Sequence, residues 1–87
     1  MSAGSPRPLR IVVVGGGSTY TPELADGIAR LGDALPVGQL VLVDPNIERA
    51  RVVAGLCARI LTSSGSSCIV EATTDLEAAA TGADAVL

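Results

Sequence analysis

Gly15, Gly16 and Gly17 follow an apolar run directly and are themselves followed by hydroxyl side chains. A glycine turn behind a buried strand lets the backbone approach a phosphate, and the next helix offers unpaired N–H groups and a partial positive charge. Gly15 would allow the tight turn, and Gly17 the close approach to a pyrophosphate. The triplet therefore predicts a loop that binds the phosphates of a dinucleotide, and we assign all three glycines to it.

Asp44 ends the next apolar run and is the candidate partner of the nucleotide ribose. An acid there accepts hydrogen bonds from ribose hydroxyls and repels a 2′-phosphate, which favours NAD over NADP. Two features depart from the usual fingerprint: Tyr20 replaces the third glycine, and Asp44 comes later than the usual spacing of about 20 residues. The alternative is that the glycines only pack a helix on a strand, and that Asp44 caps the following helix.

Ser18, Thr19 and Tyr20 lie between the glycines and Pro22. Proline disfavours helical geometry in the residue before it, so this run belongs to the loop at the carboxyl end of the first strand. We expect Ser18 and Thr19 to donate to phosphate oxygens, and Tyr20 to face a substrate or to cover the sheet edge. The alternative is that the two hydroxyls bond to their own backbone.

Alternating strands and helices must position this loop. Apolar runs predict strands at residues 9–14, 39–43, 68–72 and 83–87. Helical spacing of apolar residues predicts helices at residues 22–31, from about 45 to 62, and at 76–81. This order predicts an α/β fold, a Rossmann-like parallel sheet with flanking helices and right-handed crossovers.

Local signals set the expected helix ends and buried faces. Thr21 is expected to cap the first helix, Pro22 to take its first position and Gly32 to end it. Asp75 is expected to cap the third helix, and Gly82 to close it.

The apolar face of the first helix is predicted at Leu24, Ile28 and Leu31. That of the second helix is predicted at Val53, Leu56, Cys57, Ile60 and Leu61.

The bulk composition excludes several classes of partner. Among 87 residues there are six arginine or lysine side chains and nine acidic ones, giving a net charge of −3. No basic stripe and no membrane-length apolar run occur, so we expect neither nucleic acid nor a membrane as partner. Tyr20 is the one aromatic residue, so Val, Leu, Ile and Ala must build the core.

Cys57 and Cys68 are predicted to be small buried hydrophobes. The chain has no histidine and no close-spaced cysteine pair, so no metal ligand is assigned. Residues 1–8 lack the apolar core of a signal peptide and are expected to form a flexible lead of a cytoplasmic protein. Residues 9–87 would be the front of a nucleotide-binding domain. The chain stops inside the predicted fourth strand, so we expect a fragment whose uncovered apolar surface self-associates.

The sequence resembles the amino terminus of glycoside hydrolase family 4, and its 6-phospho-β-glucosidase branch in particular. The resemblance lies in GGGSTYTPEL (15–24), LPVGQLVLVDPNIERARVVAGL (35–56) and EATTDLEAAATGADAVL (71–87). The YTPEL stretch (20–24) is typical of the β branch, whereas the α branch tends to have Phe and Thr-Pro-Gly there. The resemblance covers nearly all of residues 9–87.

The resemblance implies a glycosidase that depends on NAD and a divalent metal, usually Mn²⁺. Its reaction runs through hydride transfer from sugar C3, removal of the C2 proton by a tyrosine, elimination, water addition and return of the hydride. Gly15, Gly17, Ser18 and Thr19 fall on the family's pyrophosphate loop, and Asp44 falls on its ribose acid. The metal ligands and the catalytic tyrosine would lie beyond residue 87, so this chain alone is expected to be inactive.

Three functions remain open from the residues. The resemblance favours a homo-oligomeric enzyme acting on a phosphorylated glucoside. A malate- or lactate-type NAD-dependent dehydrogenase begins with the same strand–helix order, although STYTPEL (18–24) is not typical of it. A non-catalytic nucleotide-binding module fits the glycine loop and Asp44 equally well.

Overall fold

Within residues 7–87, which the computed structural model describes, four strands form one parallel sheet in the order β3-β2-β1-β4. Three α-helices and one 3₁₀ turn flank it. The elements are β1 (Leu9–Val14), α1 (Thr21–Leu31), the 3₁₀ turn (Gly32–Ala34), β2 (Val37–Val43), α2 (Ile47–Ser63), β3 (Ile69–Thr73), α3 (Leu76–Ala80) and β4 (Ala85–Val86). The predicted Rossmann-like α/β fold is thereby confirmed. The predicted flexible lead lies, for residues 1–6, outside the described residues.

The register of β1 on β2 places the candidate site. Val14 pairs with Val43, so the two central strands end side by side at the same edge of the sheet. The residues that follow them, Gly15 and Asp44, therefore leave the sheet as neighbours. The N–H of Gly15 donates to the carbonyl of Val43 at 2.7 Å, which ties the loop to the end of β2.

The helices divide between the two faces of the sheet. On one face α1 and α2 pack over a core in which Leu40, Leu42 and Leu61 have no exposed surface. On the other face α3 covers Val12 and Val41 through Ala79. Side chains of a strand alternate between faces, so the central strands are apolar on both, as in a doubly wound sheet.

Small side chains make up most of the buried face of α2. Its buried residues are Ala50, Ala54, Cys57 and Leu61. Val53 and Ile60 are partly buried, as predicted, but Leu56 is 40% exposed, and its predicted place in the buried stripe is wrong. The same holds for Leu31 of α1, which is 54% exposed. Small side chains let a helix approach the sheet, which moves the neighbouring large residues to the flank.

The observed boundaries differ from the predicted ones by at most two residues; β1 agrees at both ends, and β4 is shortened at both ends to two residues. The clearest difference is β2, which begins at Val37 rather than residue 39, because Val37 is buried and joins the pairing with β1. Gly32, at φ +51°, ends α1 as predicted. Asp75 caps α3 as predicted, accepting a hydrogen bond from the N–H of Ala78 at 3.0 Å. Asn46 caps α2, which therefore begins at residue 47.

Candidate functional site

The three glycines of the loop are required for different reasons. Gly15 has φ +75°, a left-handed conformation that favours glycine and makes the tight turn. A Cβ on Gly16 would lie 2.5 Å from Cβ of Leu42 and 2.8 Å from its Cα, so the backbone of the loop packs directly on β2. A Cβ on Gly17 would lie 2.7 Å from Oδ2 of Asp44. The loop is thus held against the end of β2 at all three positions.

Asp44 joins the loop to the start of α2. Its side chain is 4% exposed; Oδ2 accepts from the N–H of Gly17 at 3.0 Å, and Oδ1 from the N–H of Asn46 at 2.9 Å. The Asn46 N–H holds the pKa of Asp44 below its usual value, helped by Gly17 and Arg49, although burial acts in the opposite direction. The carboxylate is therefore ionised and fixed. The cap of α2 is Asn46 rather than Asp44, and contact of Asp44 with a ribose stays a prediction.

Thr21 anchors α1 to the glycine loop. Its side chain is 2% exposed, and its Oγ1 donates to the carbonyl of Gly16 at 2.9 Å. The predicted cap at Thr21 is wrong, because Thr21 is the first residue of the helix and Tyr20 takes the cap position without a side-chain hydrogen bond. Pro22 is accordingly the second helical residue. The threonine hydroxyl satisfies a buried loop carbonyl instead of a helix N–H.

Ser18, Thr19 and Tyr20 lie on the side of the loop that faces solvent. Oγ of Ser18 accepts from the N–H of Tyr20 at 3.2 Å, which is the local bonding that the alternative interpretation expected. Thr19 is exposed, and Tyr20 is 77% exposed. The structure brings Ser18 and Thr19 to the same loop as the glycines. Contacts of Ser18 and Thr19 with a phosphate, and of Tyr20 with a substrate, stay predictions.

Two backbone N–H groups at the start of α1 provide donors for an anion. Within residues 7–87, the N–H groups of Thr19 and Glu23 donate to no protein acceptor, whereas those of Gly15, Gly16 and Gly17 are already paired. They lie at the amino end of α1, where the helix dipole is positive. The unpaired N–H groups of this site therefore belong to Thr19 and Glu23, not to the glycines.

Arg49 is a residue of this site that the sequence analysis missed. Its Cγ and Nε would both lie 3.0 Å from a Cβ on Gly17, and its Nη2 lies 3.8 Å from Oδ1 of Asp44. Its side chain is 61% exposed. The available signal was its place in the first turn of the helix that follows the acid, since a helix start folds back toward the end of the preceding strand.

The cysteines take no part in this site. Cys57 is fully buried as predicted, and Cys68 is partly buried. Burial raises the pKa of both thiols, which disfavours the thiolate form. In the described part of the chain no three acidic, cysteine or histidine side chains are grouped so as to hold a metal ion. None of the helices in that part is both long and apolar enough to cross a bilayer.

A cavity of about 350 Å³ lies at the opposite end of the sheet. It is lined by the 3₁₀ turn, by the start of β2 and by the loop at 64–67. These segments lie at the amino ends of the strands. The cavity is therefore separate from the glycine loop and Asp44, which lie at the carboxyl ends, where ligands of such sheets bind.

Residues 10–87 match the sequence profile described as family 4 glycosyl hydrolase. A probable 6-phospho-β-glucosidase from Bacillus subtilis (strain 168) is 40% identical over 80 residues, which make up 90% of this chain and 18% of the relative. The match therefore extends through the glycine loop, Asp44 and all four strands.

Solved structures of the same kind of enzyme share the fold. A 6-phospho-α-glucosidase from gut microorganisms, in complex with NAD and glucose-6-phosphate, has a TM-score of 0.83 and 28% identity, covering 93% of this chain and 18% of that one. The 6-phospho-β-glucosidase from Thermotoga maritima, with manganese, NAD⁺ and glucose-6-phosphate, has a TM-score of 0.79 and 28% identity, covering 90% of this chain and 18% of that one. The chain spans less than a fifth of the length of these relatives.

Proposed function

We propose that this chain, which belongs to the family 4 glycosyl hydrolases, is the amino-terminal NAD-binding part of a 6-phospho-β-glucosidase. The observation that carries the proposal is the pairing of the glycine loop with Asp44, through the hydrogen bond from Gly17 to Oδ2 at 3.0 Å. That bond joins the carboxyl ends of the two central strands, where dinucleotides bind in such sheets. Residues 9–87 would be the front of the nucleotide-binding domain.

The groups on the loop fit a pyrophosphate. The free N–H groups of Thr19 and Glu23, the Ser18 and Thr19 hydroxyls and the positive end of α1 are all suited to an anion. Gly15 is open on its outer side, since a Cβ there would meet no atom within 4 Å. NAD bound there would supply the hydride acceptor for oxidation of the sugar. The residues of this chain would bind the cofactor and orient it.

Asp44 supports the ribose end of the same site. The carboxylate lies beside Gly17, and its fixed, ionised state makes it an acceptor for a ribose hydroxyl. Both oxygens already accept one backbone N–H each, but a carboxylate has further lone pairs. Its exposure of 4% means that neighbouring atoms must move aside before a hydroxyl reaches it.

The β-anomer is the finer part of the proposal. It is supported by the YTPEL stretch (20–24) and by the 40% identity with the Bacillus subtilis relative. The fold does not discriminate, because the α- and β-specific structures have TM-scores of 0.83 and 0.79. Cleavage of 6-phospho-α-glucosides is therefore the competing specificity. Tyr20, exposed at the mouth of the loop, is the residue of this chain that we assign to the substrate side.

The remaining parts of the proposal concern the whole enzyme. It would use Mn²⁺, as suggested by the manganese in the Thermotoga maritima structure, with ligands supplied from outside residues 7–87. It would act on a phosphorylated glucoside as a homo-oligomer in the cytoplasm, where the free thiols of Cys57 and Cys68 are the normal state. The family match over residues 10–87 argues against the dehydrogenase alternative.

The test is cleavage of chromogenic 6-phospho-α- and 6-phospho-β-glucosides by the intact protein that carries this chain, assayed with NAD⁺ and Mn²⁺. We expect turnover of the β substrate and little of the α substrate. Turnover of the α substrate alone would overturn the anomer assignment. Turnover of neither, with oxidation of a 2-hydroxy acid instead, would support the dehydrogenase.

A further inference from the structure

We propose that Arg49 sets how strongly this site discriminates between NAD⁺ and NADP⁺, and that it allows a ribose 2′-phosphate to bind beside the acidic Asp44. The inference deepens the proposed nucleotide binding and rests on it. Asp44 considered alone favours NAD, because an anion at the end of β2 repels a 2′-phosphate. The structure adds a cation at the same place, with Nη2 of Arg49 lying 3.8 Å from Oδ1 of Asp44.

The side chain of Arg49 is held across the gap between the acid and the glycine loop. Asn46 caps the helix start, its Oδ1 accepting from the N–H of Arg49 at 3.1 Å, which fixes the backbone of Arg49. From there the side chain runs back along Gly17, because its Cγ and Nε would both lie 3.0 Å from a Cβ there. The absence of a side chain on Gly17 therefore makes room for arginine as well as for the carboxylate.

The guanidinium of Arg49 is far more exposed to solvent than the carboxylate of Asp44. Asp44 is 4% exposed and both its oxygens accept backbone hydrogen bonds, whereas the Arg49 side chain is 61% exposed. A group approaching the ribose position from solvent therefore meets the guanidinium first. Its planar fork of donors matches a phosphate dianion, and it screens the carboxylate behind it. The neutral 2′-hydroxyl of NAD⁺ gains less binding free energy from this cation than the charged 2′-phosphate of NADP⁺ does.

The experiment measures dissociation constants of NAD⁺ and NADP⁺ for the intact protein by isothermal titration calorimetry, at about 0.15 M salt. The variants are Arg49→Gln, which removes the charge, and Arg49→Lys, which keeps it. The matched control is Arg51→Gln, an exposed arginine two residues further along α2. Loss of one charge-assisted contact predicts that the NADP⁺/NAD⁺ ratio of dissociation constants rises about tenfold in Arg49→Gln.

Arg49→Lys is expected to restore part of the NADP⁺ affinity, and Arg51→Gln to change the ratio by less than about twofold. An unchanged ratio in Arg49→Gln, with both affinities altered equally or not at all, would overturn the proposal and leave Arg49 as a cover over Gly17. Failure of the unsubstituted protein to bind either nucleotide would instead overturn the proposed function, and this inference with it.

Discussion

At the scale of single residues, a methyl group added at Gly16 would clash with the backbone of β2 rather than with a flexible side chain. A Cβ there would lie 2.8 Å from Cα of Leu42, so the loop or β2 has to shift. We expect Gly16→Ala to lower the free energy of unfolding by about 1–3 kcal/mol, as for other overpacked sites. Urea unfolding followed by circular dichroism measures this.

The control for that substitution is Gly55→Ala. Gly55 lies inside α2, and a Cβ there would meet nothing within 4 Å. Alanine in a helix interior is favoured over glycine, so this variant is expected to be more stable by about 0.5–1 kcal/mol. Equal stabilities for both variants would contradict the close packing of the loop on β2.

Asp44 and Asp84 make the fold sensitive to acid. The pKa of Asp44 is lowered first by the Asn46 N–H, and that of Asp84 first by the Arg7 guanidinium. A folded-state pKa below the unfolded value, near 3.8, adds stability that is present above that pH. This stability is lost as the pH falls through the folded-state pKa. We therefore expect the urea concentration at the unfolding midpoint to fall as the pH is lowered below about 4.

Asp44→Asn tests the contribution of Asp44 to that drop. The amide keeps the size of the side chain but no longer accepts two N–H groups, so part of the acid sensitivity should disappear while stability at neutral pH falls. Asp33→Asn, at an exposed place in the 3₁₀ turn, is the control. An unaltered profile for Asp44→Asn would show that the carboxylate contributes nothing to stability.

At the scale of elements, Thr21 joins α1 to the glycine loop. Its Oγ1 donates to the carbonyl of Gly16 at 2.9 Å in a buried place. Thr21→Val keeps the shape but leaves that carbonyl without this donor, which should cost about 1–3 kcal/mol of unfolding free energy. Thr21→Ser keeps the hydroxyl and should cost less. If valine were tolerated as well as serine in thermal unfolding, the hydrogen bond would have no stabilising role.

The order and type of the elements were predictable from the sequence, because β-branched runs alternate with helical spacing. The glycine loop and Asp44 were predictable as neighbours, since both follow parallel strands. Two features of the site were not. The hydroxyl of Thr21 was expected to face the helix, yet it bonds to Gly16. Arg49 stands in the first turn of the helix after the acid, but its contact with Gly17 exists only after α2 packs on the sheet.

At the scale of the whole molecule, α3 covers the middle of one sheet face and leaves its margins open. Val14, Ile69 and Val86 are 49%, 59% and 51% exposed, and the strand register puts them on the same face as the buried Val12. An apolar surface of this kind favours association. We expect the 87-residue chain to self-associate as its concentration rises, which sedimentation velocity measures.

A charge on that face should weaken the association. Ile69→Lys is the test variant, and Val52→Lys, on the 73% exposed Val52 of α2, is the control. We expect Ile69→Lys to sediment as a smaller species than the unsubstituted chain, and Val52→Lys to sediment like the unsubstituted chain. A monomer at all concentrations for the unsubstituted chain would contradict the expectation.

We propose above that the glycine loop holds an NAD that takes part in the oxidation of the sugar. The most direct test removes bound NAD completely from the intact protein and then measures cleavage of a 6-phospho-β-glucoside, with Mn²⁺ present throughout. We predict that the stripped protein is inactive and that added NAD⁺ restores turnover. Full activity without NAD would contradict the account.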